Sequence, residues 1–244
     1  MTVNRTIAEA YEATYRGPHP GAVPNVDERA EAKVAVTPEL IAAQQNLARQ
    51  RRAGETLVGV HGADDPGGFG PALQIVTDQA TMLMDSVTVL LHRLGVAYVA
   101  LMHPAITVRR DADGTLVDVG VDGVGPDVIN ESWIHVQLAK SVNQPALAEA
   151  VRLLPLVVAD ARQVANDSAA LAATLQGLAD QIDADDGTRF HGPDRGDVAD
   201  LLRWLADGHF VVLGSQRCTV RDGQAFVDES TRLGVARLRT EVLP

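Results

Sequence analysis

The fold is decided by the stretch LQIVTDQATMLMDSVTVLLHRLGVAYVALMHPAITVRR (residues 73–110) together with ESWIHVQLAK (131–140). Its opening predicts a strand over residues 72–77, a polar turn around Asp78 and a helix over about 80–94. In the helical part, apolar residues recur three and four positions apart, which places them on one helical face. These residues are Leu83, Val87, Leu90, Leu91 and Leu94.

After the helix, the hydrophobic pattern changes to the period of two that is typical of strands. Gly95 follows the last periodic residue, where a helix C-terminus favours a residue that tolerates positive φ. His103 and Pro104 interrupt the alternation, and Asp-Ala-Asp-Gly at 111–114 predicts a tight hairpin turn. The predicted strands cover 96–102, 106–108, 116–119 and 133–138. The order of elements predicts an α+β fold.

The flanking regions add helices and a further strand. Residues 7–15 predict a short helix, and residues 17–27 predict a linker because prolines and glycines are frequent there. Thr37 and Pro38 predict the start of a helix that runs to about residue 52. A strand over 56–61 and a flexible glycine-rich joint over 62–71 follow.

The C-terminal part is predicted to be helical before it ends in a hairpin. The helix that begins near Pro145 is expected to kink or restart at Pro155, and Asp167 or Ser168 is expected to cap a second helix. A short helix over 194–206 follows. The last segments predict a β-hairpin with an Asp-Gly turn at 222–223.

Composition limits the possible functions of the chain. It has 244 residues, a formal net charge of −11 and one cysteine. The negative charge argues against nucleic acid or an anionic membrane as a partner. No stretch approaches the roughly 20 apolar residues that span a bilayer. A single cysteine excludes an intramolecular disulfide, and Cys218 is expected to be a buried apolar residue on a strand. We expect a cytoplasmic protein.

The sequence contains no recognisable catalytic or metal-binding motif. A dinucleotide fingerprint, a phosphate-binding loop and the common hydrolase motifs are absent, so no catalytic, cofactor-binding or metal residue is predicted. His103 and His135 lie on strands that are expected to be neighbours. A two-histidine metal site is conceivable there, but a structural role is favoured because no third ligand has a suitable spacing.

The turn from the first strand into the helix is the candidate binding site. The N-terminus of a helix presents unpaired N–H groups and a partial positive charge, which can hold the carboxylate of a small ligand. Ordinary capping by Thr77, Asp78 or Thr81 is the alternative interpretation. The candidate effector-binding residues are Thr77, Asp78, Gln79, Thr81, Asp85 and Ser86.

Two regions of the sequence resemble the N-terminal region of the large NAD-specific glutamate dehydrogenases of bacteria. The first holds LQIVTDQATMLMDSVTVLLHRLG, the His-Pro pair, VRRDADG and ESWIHV, and the second holds WLADGHFVVLGSQR followed by residues 233–238. The resemblance implies an ACT-like βαββαβ (ferredoxin-like) antiparallel sheet packed with helices. It also implies three parts: an N-terminal helical segment with linker (1–70), an ACT-like domain (71–165), and a helical connector with the start of a second α+β unit (166–244).

The resemblance implies a non-catalytic module for regulation or oligomerisation. The parent enzyme would oxidise L-glutamate to 2-oxoglutarate and ammonia with NAD, and the catalytic region and NAD site would lie outside this chain. The expected partners are a second copy, the downstream catalytic region and an amino-acid effector. Effector-binding ACT domains carry a glycine at the strand–helix turn, whereas residues 78–81 contain none. The alternative is a stand-alone amino-acid sensor that controls a partner protein.

Overall fold

The structure is a computed structural model that describes residues 2–16, 35–121, 125–187 and 194–238. The predicted linker at 17–27 lies outside these residues, as do His19 and His191. Two compact units divide the chain, Met1–Ala159 and Asp160–Pro244, and each is described by itself. The division of the sequence into three parts stays a prediction.

Within its described residues, the first unit contains three helices and six strands before the long helix that leaves it. The helices are α1 (Thr2–Ala13), α2 (Pro38–Leu47) and α3 (Leu83–Leu94). The strands are β1 (Leu57–His61), β2 (Ala72–Asp78), β3 (Tyr98–Met102), β4 (Ala105–Arg110), β5 (Leu116–Val119) and β6 (Val128–Leu138). The long helix is α4 (Gln144–Ala184).

The strands form one antiparallel sheet with β6 at its centre. Its order is β1-β2-β6-β4-β5, and β3 pairs with β6 in line with β4. Strands β3 and β4 therefore lie end to end along the same side of β6. His103 and Pro104 separate them, as the sequence predicts. The α+β, ACT-like class is confirmed. Along the chain, however, the strand beside β2 precedes it, whereas a βαββαβ order places its last strand after the second helix.

A hydrophobic core joins α1 and α2 to the sheet. Trp133 of β6 is fully buried in it, together with Tyr11 of α1 and Leu40 of α2. Trp133 pairs with Val76 of β2, so both side chains lie on the same face of the sheet. Phe69 belongs to the same core, which shows that the predicted glycine-rich joint is packed at this residue.

Three helices have bounds that differ clearly from the prediction. Helix α1 covers Thr2–Ala13, whereas residues 7–15 were predicted. Helix α3 begins at Leu83 and not near residue 80, because Met82 adopts the left-handed conformation (φ 65°) directly before it. Helix α2 ends at Leu47 and not near residue 52. The reason is that the chain then extends along β5, where Leu116 N–H donates to Arg49 O (2.9 Å) and Arg51 N–H donates to Gly114 O (3.0 Å). Gly95 ends α3 with φ 69°, as predicted.

The helical tract that follows β6 is continuous. The predicted restart at Pro155 and cap at Asp167 or Ser168 are wrong, because α4 runs through all three positions. The carboxylate of Asp167 does not cap its own helix. It accepts hydrogen bonds from Gly234 N–H and Arg237 Nε, both at 2.7 Å.

The remaining described elements of the second unit are a short helix and a hairpin. Helix α5 (Arg195–Trp204) continues into a wide turn at Leu205–His209, and β7 (Gly214–Arg221) pairs with β8 (Gln224–Gly234). The turn at Asp222 and Gly223 has positive φ at both residues, as an Asp-Gly hairpin requires. Cys218 is exposed, and the expectation that it is buried is wrong, because both faces of this part of the two-stranded hairpin are open.

Candidate functional site

At the candidate turn, the residues that leave β2 already have protein partners. Thr77 is buried, and its hydroxyl lies 3.1 Å from the hydroxyl of Thr56. One carboxylate oxygen of Asp78 lies 2.6 Å from Nη2 of Arg51, and the other accepts a hydrogen bond from Gly54 N–H at 3.0 Å. Two of the six predicted residues are therefore tied to the segment that follows α2.

Gln79 joins the turn to the central strand. Its N–H donates to Asn130 O (3.0 Å), and its side-chain oxygen accepts a hydrogen bond from the hydroxyl of Ser132. Nε2 of His103 lies 3.0 Å from the same hydroxyl. Ser132 is fully buried, and its hydroxyl joins His103 to Gln79. Burial lowers the pKa of His103, and the charge of Arg16 adds to this effect.

The helical half of the candidate turn is open. Thr81 and Asp85 are exposed, and Ser86 is half-buried. Met82 occupies the N-cap position without a side-chain hydrogen bond, so the alternative prediction of ordinary capping is wrong. The N-cap residue of α3 therefore provides no side-chain acceptor to the N–H groups of the first turn. Effector binding by the six residues stays a prediction.

Beneath the turn lies a buried ionic cluster, formed by Arg51, Arg110 and Glu131 with the indole of Trp133. Arg51 donates to one carboxylate oxygen of Glu131 from Nε (2.9 Å) and Nη2 (2.7 Å). Arg110 donates to both oxygens, from Nε (2.6 Å) and Nη2 (3.0 Å). The indole N–H of Trp133 adds a bond of 2.9 Å. Glu131 therefore receives five hydrogen bonds, as a buried carboxylate needs.

Sequence reasoning missed this cluster, although one signal was present. Ile106, Val108 and Arg110 alternate along β4, and all three are buried. The alternation that predicts the apolar face of β4 thus also places Arg110 on that face. A buried arginine requires a buried anionic partner. Nothing in the sequence indicates that the partner is Glu131 or that Arg51 joins it.

A cleft of about 360 Å³ opens beside the ionic cluster. Three segments line it: residues 51–53 after α2, residues 110–114 at the β4–β5 turn, and residues 126–127 with 129 at the start of β6. Positive and negative side chains therefore face the same space.

His103 and His135, the two histidines considered as metal ligands in the sequence, have different surroundings in the structure. His135 lies on β6, whereas His103 lies in the break between β3 and β4 and not, as was expected, on a strand. The two positions are close in the sheet, because Met102 pairs with His135. His135 Nδ1 lies 3.5 Å from Nε2 of Gln74, and its ring lies 6.2 Å from the ring of Phe69. Burial lowers the pKa of His135 to about 4.

The buried imidazole of His135 predicts a loss of stability in mild acid. The unfolded chain, with an ordinary histidine pKa, binds a proton below about pH 6.5, whereas the folded chain does so only near pH 4. The free energy of unfolding should therefore fall by about 2 kcal/mol from pH 7 to pH 5 through this residue. Urea unfolding at both values should show a smaller fall for His135→Gln. The exposed-site variant His92→Gln should keep the wild-type difference, and an equal fall in all three proteins would contradict the assignment.

The described part of the chain shows neither a metal centre nor a membrane span. Within residues 2–16, 35–121, 125–187 and 194–238, no three His, Cys, Asp or Glu side chains gather as a metal site would require. No helix in these ranges combines the length and the apolar composition needed to cross a membrane.

Comparison with known proteins adds a family match and related sequences. Residues 28–153 match the family model described as glutamate dehydrogenase, ACT1 domain. The chain is 47% identical to an NAD-specific glutamate dehydrogenase of Mycobacterium tuberculosis, over 98% of this chain and 15% of that protein. It is 26% identical to an NAD-specific glutamate dehydrogenase of Pseudomonas aeruginosa, over 68% of this chain and 11% of that protein. The chain therefore spans about a seventh of the length of these relatives or less.

Proposed function

The chain belongs to the glutamate dehydrogenase ACT1 family, and from this membership we propose that it is a non-catalytic regulatory module. The reaction it serves is the oxidative deamination of L-glutamate to 2-oxoglutarate and ammonia. NAD and substrate bind to a catalytic region outside this chain, in the cytoplasm. The observation that carries the proposal is the open helix start at the end of β2, where α3 lacks a side-chain cap.

The effector of this module is an amino acid bound at the turn of residues 77–86. The N–H groups of the first turn of α3 receive its carboxylate, because the helix dipole favours negative charge there. Asp85, exposed in that turn, receives its ammonium group. Asp78 and Gln79 then link the turn to Arg51 and Ser132, so a ligand-induced shift reaches the centre of the sheet.

Assembly is the second part of the proposed role. Among the described strands, β1 pairs only with β2 and is therefore an edge strand of the sheet. Val60 on this strand is 49% exposed. An open edge with an apolar side chain is a template for pairing with another strand. A second copy or the catalytic region of the enzyme is the partner that fits a regulatory module.

Thermal unfolding with and without each amino acid tests the effector site. A ligand that binds only the folded state, at a hundredfold excess over its dissociation constant, should raise the stability by about 2.7 kcal/mol and thereby the unfolding midpoint. Thr81→Ala and Asp85→Asn should reduce the shift, and Asp197→Asn, in the first turn of α5, should leave it unchanged. The absence of a shift with every amino acid would contradict an effector role.

The alternative function is an amino-acid sensor that controls a separate partner protein. The same open turn supports it, since ligand binding does not require the catalytic region. A complex between the chain and the catalytic part of the enzyme, weakened or strengthened by the amino acid, would exclude this alternative.

A further inference from the structure

The cleft beside the ionic cluster has the size and walls of a small-molecule site. Its volume of about 360 Å³ lies within the range of ligand pockets, about 300–1,000 Å³. Its walls come from three separate segments, and the buried cluster of Arg51, Arg110 and Glu131 holds two of them together. Arg110 donates to Ala48 O (2.8 Å), directly after the last residue of α2, and to Gly114 O (2.8 Å) in the turn between β4 and β5.

Two opposite charges in the cleft have no partner in the part of the protein that the structure describes. The guanidinium of Arg52 and the carboxylate of Asp113 are exposed and line the same space. Within the described residues, neither group forms an ion pair, with the other or with a third residue. Both remain open to a ligand, and a molecule that meets both must itself carry both charges.

The floor of the cleft supplies one more donor. Arg110 is only 6% exposed, and four of its five N–H groups bond to Glu131, Ala48 and Gly114. The remaining N–H, on Nη1, has no acceptor in the described part of the chain. Arg51 has no such capacity, because Glu131, Asp78 and two backbone oxygens accept all five of its N–H groups. A ligand carboxylate can therefore use Arg110 and Arg52 together.

Asp111 strengthens the negative side of the cleft. One of its oxygens accepts hydrogen bonds from Thr115 N–H (2.8 Å) and Asp113 N–H (3.0 Å), and its side chain is exposed at the cleft. These backbone bonds, the one from Thr115 foremost, lower the pKa of Asp111, so the group is negative at neutral pH. Asp127, the third carboxylate, is paired with Arg109 at 3.2 Å and is not required.

We propose that this cleft binds a small zwitterion that carries one carboxylate and one protonated amine, as a neutral α-amino acid does. Its carboxylate contacts Arg52 and the free N–H of Arg110, and its ammonium group contacts Asp113 and Asp111. The aspartates would repel a ligand that carries only negative charge, and the arginines would repel a ligand that carries only positive charge. Both kinds of ligand are therefore disfavoured. This site is separate from the turn of residues 77–86 and rests on its own contacts.

The test is a titration of the isotope-labelled chain followed by NMR, with three matched compounds. L-Alanine carries both charges, L-lactate lacks the amine, and ethylamine lacks the carboxylate. L-Alanine is expected to shift the amide signals of Ala53, Asp113 and Gly114 in a saturable manner. Arg52→Gln and Asp113→Asn should each weaken this binding about tenfold, since each removes one charge-assisted contact. Both residues are exposed, so neither change threatens the fold.

Other outcomes would overturn the proposal. These are no saturable shift with L-alanine, equal binding of L-lactate or ethylamine, or binding that neither variant weakens. Asp85→Asn separates this site from the proposed effector turn. If Asp85→Asn abolishes L-alanine binding and Arg52→Gln does not, the ligand occupies the turn, the cleft proposal fails and the proposed function stands. If no compound binds, the regulatory role depends on assembly alone, which solution mass measures independently.

Discussion

Replacing Glu131 with alanine is expected to lower the free energy of unfolding by about 3–5 kcal/mol, because it leaves two buried arginines without their counter-ion. Arg51 and Arg110 are 1% and 6% exposed, so water cannot replace the lost carboxylate without a rearrangement of the core. Trp133 would also lose the acceptor of its indole N–H. Urea unfolding measures the loss. Glu149→Ala is the matched control, since it breaks an exposed ion pair with Arg152, and its unfolding midpoint should barely change.

A combined replacement distinguishes the cost of unpaired charge from the loss of packing. Arg51→Met, Arg110→Met and Glu131→Leu together remove all three buried charges and keep much of the buried volume. This triple variant should be more stable than Glu131→Ala alone, because apolar residues often replace a buried ionic group with little loss. A loss below about 1 kcal/mol in Glu131→Ala would show that the cluster does not hold the sheet to the segment after α2.

Gly114→Ala is expected to be the second strongly destabilising change, with a loss of about 3 kcal/mol. Gly114 has φ 87°, in the left-handed region, and a Cβ there would collide with the backbone carbonyl of Arg51. Two costs therefore add: the backbone strain of a side chain at positive φ, and the displacement of the segment that contains Arg51. The adjacent bond from Arg51 N–H to Gly114 O would be weakened as well.

Gly95→Ala is the control that separates these two costs. Gly95 also has a positive φ, of 69°, but a Cβ at this position would meet open space. Its replacement should cost only the backbone term, about 1–2 kcal/mol. Chemical unfolding of both variants measures the difference. Equal losses would show that the contact between the β4–β5 turn and Arg51 contributes nothing.

The elements that were predicted well are those whose signal is local. The period of α3, the left-handed Gly95 at its end and the Asp-Gly turn between β7 and β8 are each determined by a few neighbouring residues. The break at Pro104 is also local, because proline cannot donate to a strand partner. The resemblance to a known family supplied the ACT-like class, which the sheet confirms.

The features that sequence reasoning missed depend on contacts between distant residues. Arg51 and Glu131 are 80 positions apart, and no pattern in either segment indicates the other. The end of α2 at Leu47 follows from the pairing of residues 49–51 with β5, which overrides the helical pattern. Similarly, Asp167 looks like an N-cap in the sequence, but its partners are Gly234 and Arg237, about 70 residues later.

The candidate turn illustrates both cases. Its place between β2 and α3 followed from periodicity, whereas the partners of its side chains did not. Thr77, Asp78 and Gln79 were expected to face a ligand, and the structure gives them Thr56, Arg51 and Ser132. Only tertiary contacts distinguish a polar residue that binds a ligand from one that joins two strands.

Sedimentation of the chain over a range of concentrations tests the central claim that this regulatory module acts through association. We predict a species of at least twice the chain mass of 25.9 kDa, which dissociates on dilution. Val60→Lys, at the open edge of β1, should shift the equilibrium toward the monomer, and Val117→Lys, at a similarly exposed position of β5, should have little effect. A single species of 25.9 kDa at every concentration would contradict self-association.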